Sequence, residues 1–306
     1  MAPPRRILVT GADGFVGRHL LPALRTAFPT ATLLTDPFDV TDPASVDAAI
    51  GSGQPDAAVH LAAVAAIPAA RHDPGRAWQV NLLGTLNVAQ AVLHRVPGCT
   101  LLFASSADTY GASFRAGTPL NEDALLAPLN TYGATKAAAD LALGAMAAEG
   151  LRVLRVRPFN HTGPGQSAEF VVAAFAEQVA RVAAGLQPPV LRVGALDPLR
   201  DFLDVRDVCA AYALCLARAD ALAPGTVLNL ASGQPRRVGD VLAALMAAAG
   251  VQAEVATDAG RRRPTDIPVA AGDAALARRL LGWAPAIPWE QTLADVLADW
   301  RARVGG

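Results

Sequence analysis

Short apolar runs alternate along the first half of the chain with longer stretches in which apolar positions recur every three or four residues. The runs are "RILVT" at 6–10, "ATLLT" at 31–35, "AAVHLA" at 57–62, "TLLFAS" at 100–105 and "LRVLRV" at 151–156. The amphipathic stretches fall near 15–28, 43–51, 75–95 and 132–149. Strands with few polar positions are buried on both faces, so this alternation predicts an α/β protein built on a doubly wound parallel sheet. After residue 158 the pattern loosens into Pro- and Gly-bearing loops, with helices expected near 167–184, 205–219, 237–249, 273–281 and 289–302. The expected organisation is a nucleotide-binding domain over 1–158 and a smaller lobe over 159–306, mainly substrate-binding, with segments that return to the first domain.

At 306 residues and 52% hydrophobic, the chain has ample material for a large core. Its formal net charge is −1 and its arginines are scattered, which predicts no nucleic-acid partner. The longest apolar stretch, 57–70, is interrupted by His60 and Pro68, and no membrane association is expected. Cys99, Cys209 and Cys215 lack metal or redox spacing, which fits reduced thiols in a cytoplasmic protein, and no metal is expected.

Candidate chemistry begins at the first strand. "VTGADGFVGRHL" puts Gly11, Gly14 and Gly17 between that strand and the first helix, where bare amides and the helix dipole can receive a pyrophosphate. This turn predicts a Rossmann-like NAD(P)-binding domain. Asp36, 19 residues past Gly17, stands at the end of the second strand, where a carboxylate accepts from a ribose diol and repels a 2′-phosphate. No arginine follows it in "TDPFDVTD", so NAD(H) is favoured, with NADP(H) possible.

Lys136 is the single lysine among 26 Lys and Arg residues. It follows Tyr132 at i+4 and so shares its helix face. A positive charge near a phenol favours the phenolate and moves the group from its ordinary pKa of ~10 toward working pH. An ammonium does this as a compact point charge, whereas a guanidinium is a planar fork of different reach. Ser105 and Ser106 end the fourth strand, at the edge of the sheet where ligands bind, and a hydroxyl there suits a substrate carbonyl.

"TGADGFVG", "HLAA" at 60–63, "VNLLGTLNV" at 80–88, "SSADTYG" at 105–111 and "YGATK" at 132–136 occur in this order, and together they resemble the extended short-chain dehydrogenase/reductases. The resemblance implies a catalytic triad of Ser106, Tyr132 and Lys136. It also implies cofactor contacts from Gly11, Gly14, Phe15, Val16, Gly17, Asp36, Asp39, Val40, Leu61, Ala62, Ala63, Asn81, Ser105, Tyr132, Lys136 and Pro158. Asn81 becomes a helix-kinking polar residue behind the site. Later segments, "RPFNHTGPGQSAEFVVAAFAEQV" at 157–179, "VGALDPLRDFLDVRDV" at 193–208 and "RRPTDIP" at 262–268, resemble the GDP-sugar branch, especially its GDP-4-keto-6-deoxy-mannose reductases.

That likeness implies a GDP-linked hexose held by Ser106, Asp108, Asn160, Arg200, Arg263 and Asp266. The implied reaction is hydride transfer from NAD(P)H to C4 of a GDP-4-keto-6-deoxyhexose, with GDP-rhamnose as product. Two features depart from the branch. "VAAIPAA" at 64–70 offers alanines where serines commonly touch the hexose, and Asp108 stands where a glutamate is usual. The alternatives are a GDP-mannose 4,6-dehydratase, a nucleotide-sugar 4-epimerase and a non-enzymatic NAD(P)-binding redox sensor. The Ala- and Gly-rich helix 132–149, with 75–95, predicts a homodimer joined through a four-helix interface.

Overall fold

A computed structural model describes residues 3–258 and 267–305. The first half runs β1 (Arg6–Thr10), α1 (Phe15–Ala27), β2 (Thr32–Leu34), α2 (Pro43–Gly53), β3 (Ala57–His60), α3 (Ile67–His72), α4 (Pro74–Trp78), a π-helical turn (Gln79–Gly84), α5 (Thr85–Arg95), β4 (Thr100–Ala104) and α6 (Thr131–Ala148). Then come β5 (Val153–Pro158), β6 (Asn160–Thr162), α7 (Val171–Ala183), β7 (Val190–Val193), β8 (Leu199–Asp204), α8 (Val205–Ala217), β9 (Val227–Leu230), β10 (Pro235–Arg237) and α9 (Val238–Ala249). The chain continues through β11 (Glu254–Thr257), β12 (Val269–Ala270), α10 (Ala275–Leu281) and α11 (Trp289–Gly305).

Six parallel strands form the central sheet in the order β2-β1-β3-β4-β5-β9. Successive side chains of a strand point to opposite faces. Ile7 and Val9 accordingly join one apolar cluster, against Leu20 and Leu24 of α1 and Val208 and Tyr212 of α8. Leu8 joins another, with Val46, Val88 and Leu143 of α2, α5 and α6. Both faces are covered, which is why the strands read as apolar runs without alternation. Strand order reverses between β1 and β3, and the crevice beyond their C-terminal ends is where such sheets bind ligands.

The sixth strand, β9, comes from beyond residue 158, as does α8. Their sequences merge into the looser pattern of the second half, so the apolar runs predict five strands where six form. The remaining residues build a four-stranded arrangement of β10, β8, β12 and β6, plus a β11–β7 pair. These pack on a third cluster centred on Val179 of α7, Leu245 of α9 and Val296 of α11. The expected helix over 75–95 is divided: α4 ends at Trp78 and the backbone widens into the π turn holding Asn81. No helix among the described residues is long and apolar enough to cross a membrane.

Candidate active site

The turn after β1 is shaped by what its glycines lack. Gly11 has φ +67°, and a Cβ there would lie 3.0 Å from the backbone nitrogen of Ala62. At Gly17 a Cβ would overlap the carbonyl oxygens of Gly11 and Ala12. Gly14 is the N-cap of α1 and offers no side-chain cap to the first-turn amides, and the first turn holds no acid. Uncapped amides of Phe15 and Val16, at the positive end of a helix dipole and beside a backbone that passes without side chains, fit the pyrophosphate of a dinucleotide.

β2 ends at Leu34, so Asp36 stands two residues beyond the strand rather than on its last residue, and it is exposed. Asp39 is exposed and accepts from the Thr41 amide at 2.9 Å and the Thr41 hydroxyl at 2.7 Å, which holds its carboxyl below the usual range. Val40 is buried and its carbonyl accepts from Asn87 Nδ2 at 3.0 Å. Leu61, Ala62 and Ala63 leave β3 alongside Gly11, half-buried.

Asn130 caps α6, its side chain accepting from Gly133 N at 2.8 Å, and this sets Tyr132 in the first turn. Ser106 and Asp108 approach Tyr132 from the end of β4. Burial raises the phenol's pKa, the Asp108 carboxylate raises it further, and a hydrogen bond with Ser106 opposes both. Lys136, one turn on, is 3% exposed, with Nζ 4.5 Å from the centre of the Phe103 ring. Burial pulls its pKa down to about 7, against the pull of Asp140. The expected lowering of the tyrosine pKa is therefore not what the site imposes. Desolvation dominates both groups, holding the phenol protonated and the amine near its titration point at neutral pH.

The cost of burying Lys136 has a sign that can be read in stability. Between about pH 7 and its ordinary value of 10.5, the unfolded chain binds the proton more tightly than the folded one, so stability rises with pH across that window. Below about 7 the whole penalty is present. Lys136→Met should therefore raise Tm most near about pH 6 and least near about pH 10. A Tm difference that stays constant across that range, in melts of both proteins, would contradict this burial cost.

Ser105 differs from its neighbour. Its hydroxyl donates to Asp140 Oδ2 at 2.6 Å and is buried, so its side chain is turned away from the cleft. Asp140 also receives Arg157 through Nε and Nη2, both at 2.9 Å, and Arg155 Nη1 at 3.1 Å. Burial alone would raise this carboxyl, but the two guanidiniums and Ser105 hold it low. A fully buried carboxylate shared by two arginines ties α6 to β4 and β5, and removing one partner of such a cluster costs about 3–5 kcal/mol. Asn81 is likewise committed, to Val64 and to Thr135.

Pro158 is buried at the end of β5. Asn160 is exposed on β6, in register with Phe202 of β8, and Arg200 lies two residues before Phe202, hence on the same face. Arg200 Nη1 donates to Leu199 O at 2.8 Å. The structure thus brings Ser106 and Asp108 to Tyr132, sets Lys136 one turn further along α6, and places Asn160 and Arg200 on one face of the β6–β8 pair. Arg263 and Asp266 lie outside the described residues. Sequence reasoning missed the buried partners His60, Thr10, Thr85, Thr135, Asp140 and Arg157. The one signal available was a histidine and isolated threonines inside otherwise apolar elements. Among the described residues no group of three His, Cys, Asp or Glu side chains could hold a metal.

A model described as "NAD dependent epimerase/dehydratase family" matches residues 7–231. A GDP-6-deoxy-D-mannose reductase of Pseudomonas aeruginosa is 41% identical over 98% of each chain. Among solved structures, RMD from Pseudomonas aeruginosa complexed with NADPH matches with a TM-score of 0.89 and 39% identity, covering 98% of this chain and 100% of that one. UDP-glucose 4-epimerase of Thermus thermophilus, in complex with NAD, matches at 0.83 and 28%, covering 97% and 99%.

Proposed function

The chain belongs to the NAD dependent epimerase/dehydratase family, and we propose that it reduces the C4 ketone of GDP-4-keto-6-deoxy-mannose to GDP-rhamnose. It is an NAD(P)-dependent nucleotide-sugar reductase, and the substrate and product are the further step. The observation that carries the reading is Ser106 hydrogen-bonded with Tyr132 and Lys136 one turn further along α6, in a chain whose β1–α1 turn is a bare phosphate loop. The likeness to a GDP-6-deoxy-D-mannose reductase extends through the lobe as well as the sheet, since it covers 98% of the chain. Identification of the product by NMR tests it: GDP-rhamnose supports the reading, and the opposite C4 configuration overturns it.

The amides of the Gly11–Gly17 turn would hold the pyrophosphate, with Asp36 at the adenosine ribose. A dinucleotide held there would supply the hydride for C4. Tyr132 donates its proton to O4; its raised pKa keeps it protonated throughout the neutral range, so the donor is always loaded. Ser106 orients and polarises the carbonyl by hydrogen bonding. Lys136, protonated, offsets the negative charge that Tyr132 acquires as its proton leaves. Asn160 and Arg200, from the portion of the chain over 159–306, grip the diphosphate. Arg263 and Asp266 grip the nucleoside end.

Asp36 favours NAD(H), because its carboxylate repels a 2′-phosphate and accepts from a free diol. Asp36→Ala should narrow the preference for NADH over NADPH in steady-state kinetics. A wild-type protein that strongly prefers NADPH would remove this role from Asp36.

A homodimer fits the surface left by the helices. Leu141 of α6 is 60% exposed and Leu83 of the π turn 51%, large apolar side chains on neighbouring elements that a second copy would cover. Light scattering at micromolar protein should give twice the chain mass of 31.5 kDa. A mass of one chain rejects the four-helix interface.

One observation favours a second reading. Asp108 lies close enough to raise the Tyr132 pKa by its charge, so a carboxylate stands at the reacting position, as proton abstraction in a GDP-mannose 4,6-dehydratase requires. Its short side chain leaves reduction the better reading.

A further inference from the structure

We infer that His60 is a positioning residue that, through Thr10 and Thr85, locks the floor of the dinucleotide cleft to the helix carrying Tyr132 and Lys136. His60 is 1% exposed at the end of β3. Its Nδ1 lies 2.7 Å from Thr10 Oγ1 and its Nε2 lies 3.0 Å from Thr85 Oγ1. Thr85 Oγ1 is also 2.7 Å from the carbonyl oxygen of Asn81. A carbonyl only accepts, so the single hydroxyl proton of Thr85 goes to Asn81.

The rest of the proton order follows. Thr85 has no proton left for His60, so Nε2 carries the hydrogen and donates. Nδ1 of the neutral ring is then an acceptor and receives the proton of Thr10. The Thr10 oxygen keeps two lone pairs, which accept the amides of Leu61 at 3.2 Å and Ala62 at 3.1 Å. Beyond Thr85, Asn81 accepts from Val64 N at 2.8 Å and donates through Nδ2 to Val64 O at 3.1 Å and Thr135 Oγ1 at 2.9 Å. Thr135 donates in turn to Tyr132 O at 2.8 Å. Donors and acceptors match along this buried chain, and each hydroxyl proton has one destination.

A second proton on His60 would face a Thr10 oxygen already accepting two amides, and the chain would break. Burial, helped by the charge of Lys136, holds the His60 pKa down at about 3, so the neutral ring persists across the working range. The same ring stacks near Phe103, with centroids 6.2 Å apart, and Phe103 lies under the Lys136 ammonium. One residue thus sets both the backbone of Leu61 and Ala62, which runs against Gly11, and the aromatic surface beneath the lysine. A phenyl ring would fill the space of His60 but could not order these hydrogen bonds.

The inference rests on the reductase reading for its kinetic arm only. Three full-length variants test it: Thr85→Val, Thr85→Ser and His60→Phe. Amide exchange is measured on the protein without dinucleotide, the NADH dissociation constant by fluorescence without sugar, and kcat and KM by steady-state assay. Thr85 touches neither the Leu61 nor the Ala62 amide, so faster exchange at those two in Thr85→Val reports transmission through the ring. Thr85→Val should also weaken NADH about tenfold and lower kcat about tenfold, and Thr85→Ser should restore all three readouts. His60→Phe should match Thr85→Val. If both Val and Phe variants lose only thermal stability, with exchange at Leu61 and Ala62 and NADH affinity at wild-type values, the inference is overturned. It is equally overturned if Thr85→Ser behaves as Thr85→Val. Should wild-type protein bind NADH but reduce no GDP-linked ketone, the reductase reading fails while exchange and affinity still decide this one.

Discussion

Lys136→Arg lowers kcat by about 10²- to 10⁴-fold in the expected result, although formal charge is preserved. The slot explains why. The side chain is 3% exposed with its nitrogen over the Phe103 ring, and Asp140, the nearest carboxylate on α6, is already shared by Arg155 and Arg157. An ammonium fits there and sheds its proton near neutrality; a guanidinium is larger, planar and never neutral in a protein. It would not fit over the Phe103 ring beside a carboxylate already paired twice, and would be displaced from the place the ammonium holds. Tyr132→Phe should be at least as damaging, because the proton donor itself is gone. Thermal melts run alongside separate lost chemistry from lost fold. A folded Lys136→Arg protein with near wild-type kcat would dissolve the link between the lone lysine and catalysis.

Arg200→Ala should lower kcat/KM for a GDP-linked 4-keto sugar about a hundredfold while leaving the KM for NADH near its wild-type value. The residue sits on β8 on the face that also carries Asn160, in register with Arg236 on β10. A charge-assisted contact to phosphate contributes about 1.5–3 kcal/mol, and about 2.7 kcal/mol is a hundredfold. Binding energy at the diphosphate also orients the distant carbonyl, so the loss should fall on kcat as well as on KM. UDP- and dTDP-linked 4-keto sugars should react poorly with the wild type. Equal losses for NADH and sugar would mean that Arg200 supports the fold and not the substrate.

The parts of this molecule that can be read in advance are those set by local rules. Runs of apolar residues mark β1, β3, β4 and β5, because burial on both faces leaves no alternation to confuse. The Gly11–Gly17 turn and the Tyr132/Lys136 spacing stand out because few residue types tolerate those backbones or that chemistry. What escapes depends on partners far apart in sequence. β9 is four residues whose strand character comes from pairing with β5. The break at Gln79–Gly84 depends on Asn81 finding Val64 and Thr135. Asp140 reads as one polar residue on an alanine-rich helix until Arg155 and Arg157 arrive from β5. The pKa of Tyr132 runs opposite to its sequence expectation for the same reason: charge is visible in a sequence and desolvation is not.

The most direct test of the reductase account is to incubate the purified protein with GDP-4-keto-6-deoxy-mannose and NADH and follow both the dinucleotide absorbance and the sugar. The account predicts consumption of the keto sugar with one NADH oxidised per sugar reduced, and no turnover of GDP-mannose. Conversion of GDP-mannose to its 4-keto-6-deoxy form without added reductant, abolished by Asp108→Asn, would contradict it.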